Sequence, residues 1–363
     1  MTRRHALDLL PIIDGHNDTL LHLHDPRRGA GEDFLNGPTG GHLDLPRARA
    51  GGLAGGFFAL FVPPDPALPA PPDGGAVFTA EGYDVPLPAP VDPDYARRET
   101  LAMMAELFRL EARAAGRLAI VRTVDDLAGA LASGVLAVIL HLEGAEAIDP
   151  GLDALEVFYR AGLRSLGITW SRPNRFGQGV PFRYPGSPEE GPGLSEAGRA
   201  LVRACNRLGI VLDLSHLNAP GFRDVAAISD APLVVTHAGA HALCPIPRNL
   251  TDAQLDAVGA SDGVVGIVFE AGMLRADGRF APDSTLDEIV RHVDYVAGRI
   301  GIEHVAFGSD FDGTDNLPRD LPDVAAYPRL IARLRERGYD EPALRLLASE
   351  NWLRVLRRTW THA

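Results

Sequence analysis

The chain has 363 residues, 46% of them hydrophobic and 23% charged, which is the composition of a globular protein with a sizeable core. Its 48 acidic residues outnumber 35 basic ones, and the formal charge of −13 argues against nucleic acid or a membrane surface as a partner. All the basic residues are arginine. The absence of lysine excludes Schiff-base catalysis, lysine-held pyridoxal phosphate, a phosphate-loop lysine and a carbamylated lysine between two metals.

Cysteine usage and the first residues predict a soluble protein of the cytoplasm. Cys205 and Cys244 are the only cysteines, so no disulfide framework is implied. The opening residues lack the apolar segment of a signal peptide. The longest nearly continuous apolar stretch, residues 52–62, is too short to span a bilayer.

Short aliphatic runs alternate with amphipathic segments along most of the chain. This alternation predicts an α/β fold, a TIM-type (β/α)8 barrel with a C-terminal helix packed outside it. A doubly wound sheet is the alternative, but no glycine-rich Gly-x-Gly-x-x-Gly motif follows an early strand. The predicted strands are residues 11–14, 55–62, 135–142, 165–169, 210–215, 233–236, 264–268 and 305–309. The predicted helices are residues 94–115, 123–133, 151–161, 195–208, 218–228, 251–259, 284–299, 322–337 and 342–358.

Two segments interrupt the alternation within what we expect to be a single domain over residues 1–363. Residues 62–93 contain ten prolines and form an irregular insertion. A surface loop is the simpler interpretation, and a lid or a dimer contact is the alternative. Residues 171–195 are rich in glycine, proline and arginine and follow a predicted strand. In a barrel, that order places them at the catalytic end.

Imidazoles and carboxylates follow five of the predicted strands, and in a parallel barrel these strand ends converge on one rim. Clustered carboxylates repel one another unless cations are bound between them. Nitrogen and oxygen ligands without thiolates suit zinc, with manganese or cobalt as alternatives. Because six groups exceed one tetrahedral shell, we expect two metals, with Glu143 as the best candidate to bridge them. The six groups are His16, Asp18, Glu143, His216, His237 and Asp310. His241, four residues after His237, is a further candidate to contact the substrate or a metal ligand.

Together these residues resemble the renal (membrane) dipeptidase family of zinc peptidases, within the amidohydrolase superfamily, and the resemblance covers essentially the whole chain. Residues 14–18, Asp-Gly-His-Asn-Asp, look like the family's opening motif, and Glu143-Gly144 like its bridging glutamate. The segments that end at His216 and His237 resemble its two histidine strands. Residues 247–249, Pro-Arg-Asn, and residues 308–313, Gly-Ser-Asp-Phe-Asp-Gly, are similar to its last two motifs.

The resemblance implies a role for each matching residue. His16, Asp18 and Glu143 would hold one zinc, and Glu143, His216 and His237 the other. A hydroxide between the two zinc ions would attack the scissile carbonyl, with Asp310 taking and returning the proton. Asp310 would stay ionised because it lies near two cations. Arg248 would bind the terminal carboxylate of the substrate.

One position departs from the family pattern. Residues 162–170 align with a family stretch that ends in the histidine assigned to stabilising the oxyanion, but here the stretch ends in Trp170. An indole offers one N–H donor and no titratable proton. Trp170 is therefore a candidate substrate contact that would change the range of substrates. The alternative is that Trp170 is turned into the barrel wall.

The resemblance predicts hydrolysis of small dipeptides, including those with a D-residue at the C-terminus. A hydrolase of another small amide or lactone on the same site is one alternative, and a catalytically silent metal-binding protein is another. The family's secretion signal and lipid-anchor tail are not apparent, which fits a soluble bacterial member. Because the family includes dimers, a homodimer is also expected as a candidate state.

Overall fold

The fold is seen in a computed structural model that describes residues 9–69 and 72–360. The opening residues, on which the expectation of no signal peptide rests, lie outside the described residues. None of the helices in the described ranges is both long enough and apolar enough to cross a membrane.

Eight parallel strands form a nearly closed barrel, which confirms the predicted TIM-type fold. The strands pair in chain order, and a bridge between Asn17 and Phe311 brings the last strand back to the first. The backbone N–H of Asp310 also donates to the carbonyl of His16 at 3.0 Å. The barrel strands are Ile12–Asn17, Leu53–Phe61, Leu136–Glu143, Leu163–Gly167, Val211–Asp213, Val234–Ala238, Val264–Ile267 and Val305–Phe307. A further strand, Leu118–Ile120, pairs with the third barrel strand.

The predicted helices appear in the predicted order with bounds that shift by a few residues, except that the predicted helix 342–358 is divided by a π-helical turn. Three short helices, Thr19–His24, Leu45–Gly51 and Ala271–Leu274, were not predicted. The fifth strand is shorter than predicted because the carboxylate of Asp213 accepts a hydrogen bond from the backbone N–H of Ser215 at 3.0 Å, which turns the chain. The α-helices are Thr19–His24, Leu45–Gly51, Pro93–Ala114, Val124–Ser133, Asp153–Ala161, Glu196–Leu208, Ala219–Ile228, Asp252–Ala260, Ala271–Leu274, Leu286–Ile300, Tyr327–Arg337, Glu341–Arg345 and Asn351–Thr359. A π-helical turn, Leu346–Glu350, joins the last two, and short 3₁₀ turns occupy Pro72–Gly75, Ile302–His304 and Val324–Ala326.

The C-terminal helix does more than pack outside the barrel. Trp352 is fully buried, packs against Phe57 with ring centroids 5.0 Å apart, and donates its indole N–H to the carbonyl of Phe307. Gly15 is required at this contact, because a Cβ there would lie 2.5 Å from the Trp352 ring. Trp352 also shares a buried cluster with Val211, Val234 and Val264, the first residues of three barrel strands. The helix thus closes the end of the barrel at which the strands begin, opposite the strand ends that carry the polar residues.

The proline-rich insertion reaches the catalytic end of the barrel. Its strands Val77–Phe78 and Tyr83–Val85 form an antiparallel sheet with Phe182–Tyr184 from the loop at 171–195. The guanidinium of Arg183 lies 3.0 Å from the carboxylate of Asp84 and joins the two segments. The insertion and the loop therefore cover the rim together.

Candidate active site and metal centre

The predicted imidazoles and carboxylates meet at the rim, where the strands end. His16 lies in the first strand and Glu143 ends the third, while Asp18, His216 and Asp310 occupy turns just beyond strands. His216 and Asp310 have φ angles of 65° and 63°, in the left-handed region that costs a non-glycine residue about 1–3 kcal/mol. Strain of this kind concentrates at functional sites, because there the position of the side chain outweighs the local cost.

Glu143 lies between two groups of side chains and faces each with a different oxygen. Its Oε2 is 3.7 Å from His16 Nε2, which is 3.5 Å from Asp18 Oδ2. Its Oε1 is 3.1 Å from His216 Nε2 and 3.9 Å from His237 Nε2. The two histidine nitrogens are themselves 3.1 Å apart. One carboxylate thus connects two clusters of three candidate ligands.

These separations fit a zinc shell. Ligands that bind at about 2.0–2.1 Å around a tetrahedral zinc lie roughly 3.3 Å from one another, and the distances within the two clusters range from 3.1 to 3.9 Å. His16 Nε2 and Asp18 Oδ1 are buried and have no hydrogen-bond partner among the described residues. Buried polar atoms of this kind require a partner, and a divalent cation supplies one. Both clusters therefore fit a metal ion.

The electrostatics of the cluster also favour added positive charge. Burial raises the pKa of Glu143 well above its usual value, and Asp18 raises it further. Burial alone would lower the pKa of His16, but the charges of Glu143 and Asp18 outweigh it and raise that pKa to about 10. Burial lowers the pKa values of His216 and His237 well below the usual value. The site therefore offers two neutral imidazoles as ligands and takes up a cation between its carboxylates.

Asp310 completes the cluster on the side of the first strand. Its carboxyl group and nitrogens of His16 and His237 lie within 4.8 Å of one another. Burial raises the pKa of Asp310 to about 7 in the metal-free chain. The expectation that Asp310 is ionised at rest therefore needs the nearby cations. Gly313 lies against this carboxylate and that of Asp18, and a Cβ at Gly313 would collide with both.

Arg248 lies at the wall of the same site and is 3% exposed. One of its terminal N–H groups donates to the carbonyl of His237 at 3.1 Å, and its Nε has no partner among the described residues. Burial lowers the pKa of Arg248 to about 10, and the charges of Asp310 and Glu143 oppose that shift. At neutral pH this guanidinium is a charged donor with free N–H groups.

A cavity of about 380 Å³ opens above the cluster, and Asp18, Glu143, His216, Arg248 and Asp310 all line it. Much of its remaining wall is apolar, and two of the lining residues, Pro64 and Tyr83, belong to the proline-rich insertion. Apolar lining residues include Phe61, Pro64, Tyr83, Phe182, Ile246 and Met273. Glu270, three residues after the seventh strand, adds a carboxylate to the lining, and burial raises its pKa to about 7.

Trp170 lines this cavity and is half-buried. Its ring lies 5.0 Å from that of Phe61, 5.6 Å from that of Phe182 and 5.8 Å from that of His216, measured between centroids. The structure thus places Trp170 at the site rather than turned away into the barrel wall. His241 does not line the cavity, and its Nε2 is 2.8 Å from the carbonyl oxygen of Gly186 in the covering loop.

Two polar contacts at the site were not found by sequence reasoning. The hydroxyl of Ser171 is 2.8 Å from His216 Nδ1 and orients that ring. Arg172 and Glu146 form a fully buried ion pair, with Nε and Oε1 2.7 Å apart, and Arg172 also donates to the carbonyl of Val62 at the start of the insertion. The only signal in the sequence was their position: Ser171 and Arg172 directly follow Trp170, and Glu146 is three residues after Glu143.

Comparison with known proteins identifies the family. The sequence model of the membrane dipeptidase family (peptidase family M19) matches residues 2–363, which is nearly the whole chain. The chain belongs to the membrane dipeptidase family. It is therefore an enzyme, a metallohydrolase of this family, as the sequence motifs predicted.

Relatives extend this match in sequence and in structure. The chain is similar to a metallo peptidase from Rhodobacter sphaeroides whose crystal structure contains a phosphinate mimic of the dipeptide L-Ala-D-Ala. The two share 47% identity over 97% of this chain and all of the other, with a TM-score of 0.90. An uncharacterised protein from the pqqA 5′ region of Klebsiella pneumoniae is 48% identical over 271 residues, 75% of this chain and 98% of that one. The probable dipeptidase PvdM from Pseudomonas aeruginosa shares the fold, with a TM-score of 0.82 at 22% identity.

Proposed function

We propose that this member of the family is a two-zinc dipeptidase that hydrolyses small dipeptides, including those with a D-residue at the C-terminus. The observation that carries the proposal is the position of Glu143, whose two oxygens face two separate sets of nitrogen and oxygen ligands. A carboxylate that bound a single metal ion would face only one set of ligands. The similar metallo peptidase from Rhodobacter sphaeroides, liganded with a mimic of L-Ala-D-Ala, supports the choice of substrate.

The residues that would hold the metals follow from the two clusters. His16, Asp18 and Glu143 would hold one zinc, and Glu143, His216 and His237 the other. When bound, two zinc ions lower the pKa of an attacking water and polarise the scissile carbonyl. The remaining chemistry is supplied by the side chains around them.

Asp310 is the proposed proton carrier. It lies beside His16 and lines the cavity, so its carboxylate reaches the space in which water and substrate meet. With cations beside it, Asp310 is ionised and takes a proton from the attacking water at a carboxylate oxygen. The same oxygen then returns the proton to the amine nitrogen that leaves when the peptide bond breaks.

Arg248 is the proposed site for the terminal carboxylate of the dipeptide. Its guanidinium is charged, buried and equipped with free N–H groups in the wall of the cavity. A carboxylate matches such a group through two parallel hydrogen bonds. Binding at Arg248 fixes the distance from the free C-terminus to the scissile bond, which favours dipeptides over longer chains.

Trp170 favours a restricted substrate list. Because its ring packs among Phe61, Phe182 and His216, it narrows the cavity next to a proposed metal ligand. It also occupies the position at which the family has a histidine donor. This departure is the observation that favours the second candidate, a hydrolase of another small amide or lactone on the same metals.

The test is an assay of zinc-loaded and chelator-treated protein against L,L-, L,D- and D,D-dipeptides, together with small N-acyl amino acids and lactones. We expect zinc-dependent turnover of a subset of the dipeptides. Turnover of only the amides or lactones would replace the proposal with the second candidate. Zinc binding without turnover of any substrate would indicate a silent metal-binding protein.

A further inference from the structure

Asp213 is a buried carboxylate beneath the metal centre to which the proposed mechanism gives no role. It ends the fifth strand and is 1% exposed. Its Oδ1 accepts hydrogen bonds from the backbone N–H groups of Ser215 and Thr236 at 3.0 and 2.8 Å, and from the Ser215 hydroxyl at 2.8 Å. Its Oδ2 accepts from the hydroxyl of Thr236 at 2.6 Å. This carboxylate therefore joins the two strands that lead to His216 and His237.

The hydrogen bonds around Thr236 determine the tautomer of His237, that is, which ring nitrogen carries the hydrogen. The Thr236 hydroxyl has one hydrogen and donates it to Asp213 Oδ2, 2.6 Å away, while Asp213 Oδ1 accepts three further hydrogen bonds. The same hydroxyl oxygen is 2.9 Å from His237 Nδ1, so toward that nitrogen it can act only as an acceptor. His237 Nδ1 must then carry the ring hydrogen, and Nε2 is left with the lone pair that a metal needs.

Asp213 also lies close to His16. A nitrogen of His16, a nitrogen of His141 and a carboxylate oxygen of Asp213 lie within 4.8 Å of one another, and all three side chains are buried. His16 Nε2 faces Asp18 and Glu143, so Nδ1 is the nitrogen left for this contact. Neither His16 Nδ1 nor His141 Nε2 has a hydrogen-bond partner among the described residues. His141 Nε2 is 3.6 Å from Asp213 Oδ2, which is too long for a direct hydrogen bond. One water molecule bonded to Asp213, His141 and His16 would supply the missing partner of both nitrogens.

We propose that Asp213 is a positioning residue for both halves of the metal centre, acting on His237 through the Thr236 hydroxyl and on His16 through one water molecule held with His141. In each case a carboxylate acceptor keeps the hydrogen on Nδ1 and directs Nε2 to the metal. The inference rests on the proposed metal site. It adds that one carboxylate orients ligands of both ions.

The decisive variant is Asp213→Asn, which keeps the shape of the side chain. Two backbone N–H groups hold the oxygen at the Oδ1 position, so the amide nitrogen must take the Oδ2 position and donate to Thr236. The Thr236 hydroxyl then donates to His237 Nδ1, and the ring hydrogen moves to Nε2, which must lose that hydrogen before it can bind a metal. We expect zinc affinity, measured by competition with a chelator, to fall roughly 10- to 100-fold.

A matched pair at Thr236 separates this role from simple loss of stability. Thr236→Val removes the hydroxyl and should weaken zinc binding in the same way, whereas Thr236→Ser keeps it and should bind zinc like the parent. If Asp213→Asn fails to fold, this pair carries the test. A purely structural role would lower the unfolding temperature of the metal-free protein and leave zinc affinity per folded chain unchanged.

Histidine ¹⁵N NMR of the metal-free protein gives a readout that does not depend on activity. We expect His237 in the Nδ1–H form in the parent and in the Nε2–H form in Asp213→Asn. An unchanged form, or parent-like zinc affinity in both Asp213→Asn and Thr236→Val, would overturn the inference. Because this comparison needs neither zinc nor substrate, its failure is distinguishable from a parent enzyme that does not cleave dipeptides.

Discussion

Removing the charge from the substrate's C-terminus should reveal what Arg248 does. The guanidinium is 3% exposed, so solvent screens its interaction with a carboxylate far less than at a surface. A hydrogen bond to a charged group contributes about 1.5–3 kcal/mol. At about 1.4 kcal/mol for each factor of ten, an amide-capped dipeptide should lose roughly 10- to 150-fold in kcat/KM against the free acid.

The assay compares free and amidated forms of one good substrate in the parent, in Arg248→Ala and in Arg248→Lys. Arg248→Ala should cleave both forms slowly and at similar rates, because the group that distinguishes them is gone. Arg248→Lys keeps the charge but lacks the two-pronged donor, so it should retain only part of the preference. If the parent cleaves both forms equally well, Arg248 does not bind the terminal carboxylate and the orientation of the substrate must be revised.

Three further predictions concern Trp170, Glu143 and His292. Trp170→His should raise kcat on good dipeptide substrates without changing metal content, since one oxyanion donor contributes about 2.7–4 kcal/mol in hydrolases. Glu143→Gln should lose metal, measured by elemental analysis, together with activity, because a neutral amide is a poor bridge between two cations. His292 accepts a hydrogen bond from the backbone N–H of Ala240, and burial lowers its pKa to about 4. The unfolded chain therefore takes up a proton first, and folding stability should fall by up to about 3 kcal/mol as the pH drops from about 6.5 to 4. In denaturant unfolding, His292→Gln should lose less stability over that range.

Each of these expectations has a result that contradicts it. Brisk, broad dipeptidase activity in the parent with no gain from Trp170→His would show that another donor replaces the family histidine. Full metal occupancy in Glu143→Gln would remove the bridging role. Identical pH dependence in the parent and His292→Gln would mean that His292 is protonated to the same extent in the folded and unfolded chains.

The barrel and its rim could be predicted because their signals are local. Strands buried on both faces appear as aliphatic runs, such as Val264–Ile267, and helices appear through their spacing and their N-terminal caps. The polar residues come directly after such runs, and parallel strands bring their ends together whatever the loops do. The candidate ligands of the proposed metal site could therefore be found once the order of the strands was known.

The features that could not be predicted depend on contacts between segments that are distant in the sequence. The proline-rich insertion carries no periodic pattern. Its strand Tyr83–Val85 pairs with Val77–Phe78 on one side and, on the other, with Phe182–Tyr184 about 100 residues later in the chain. Asp213 and Thr236 stand within the motifs that lead to His216 and His237, yet the hydrogen bond between their side chains appears only when the two strands are adjacent. The contact between His241 and the carbonyl of Gly186 in the covering loop could not be predicted for the same reason.

The central claim is that Glu143 joins two zinc ions at a site that binds dipeptides, and a crystal structure of the zinc-loaded protein with a phosphinate dipeptide tests it most directly. Anomalous scattering at the zinc edge should show two peaks about 3.5–4 Å apart, one beside His16 and Asp18 and one beside His216 and His237, with Glu143 between them. The carboxylate of the inhibitor should contact Arg248. A single zinc peak, or two peaks that do not share Glu143, would contradict the account.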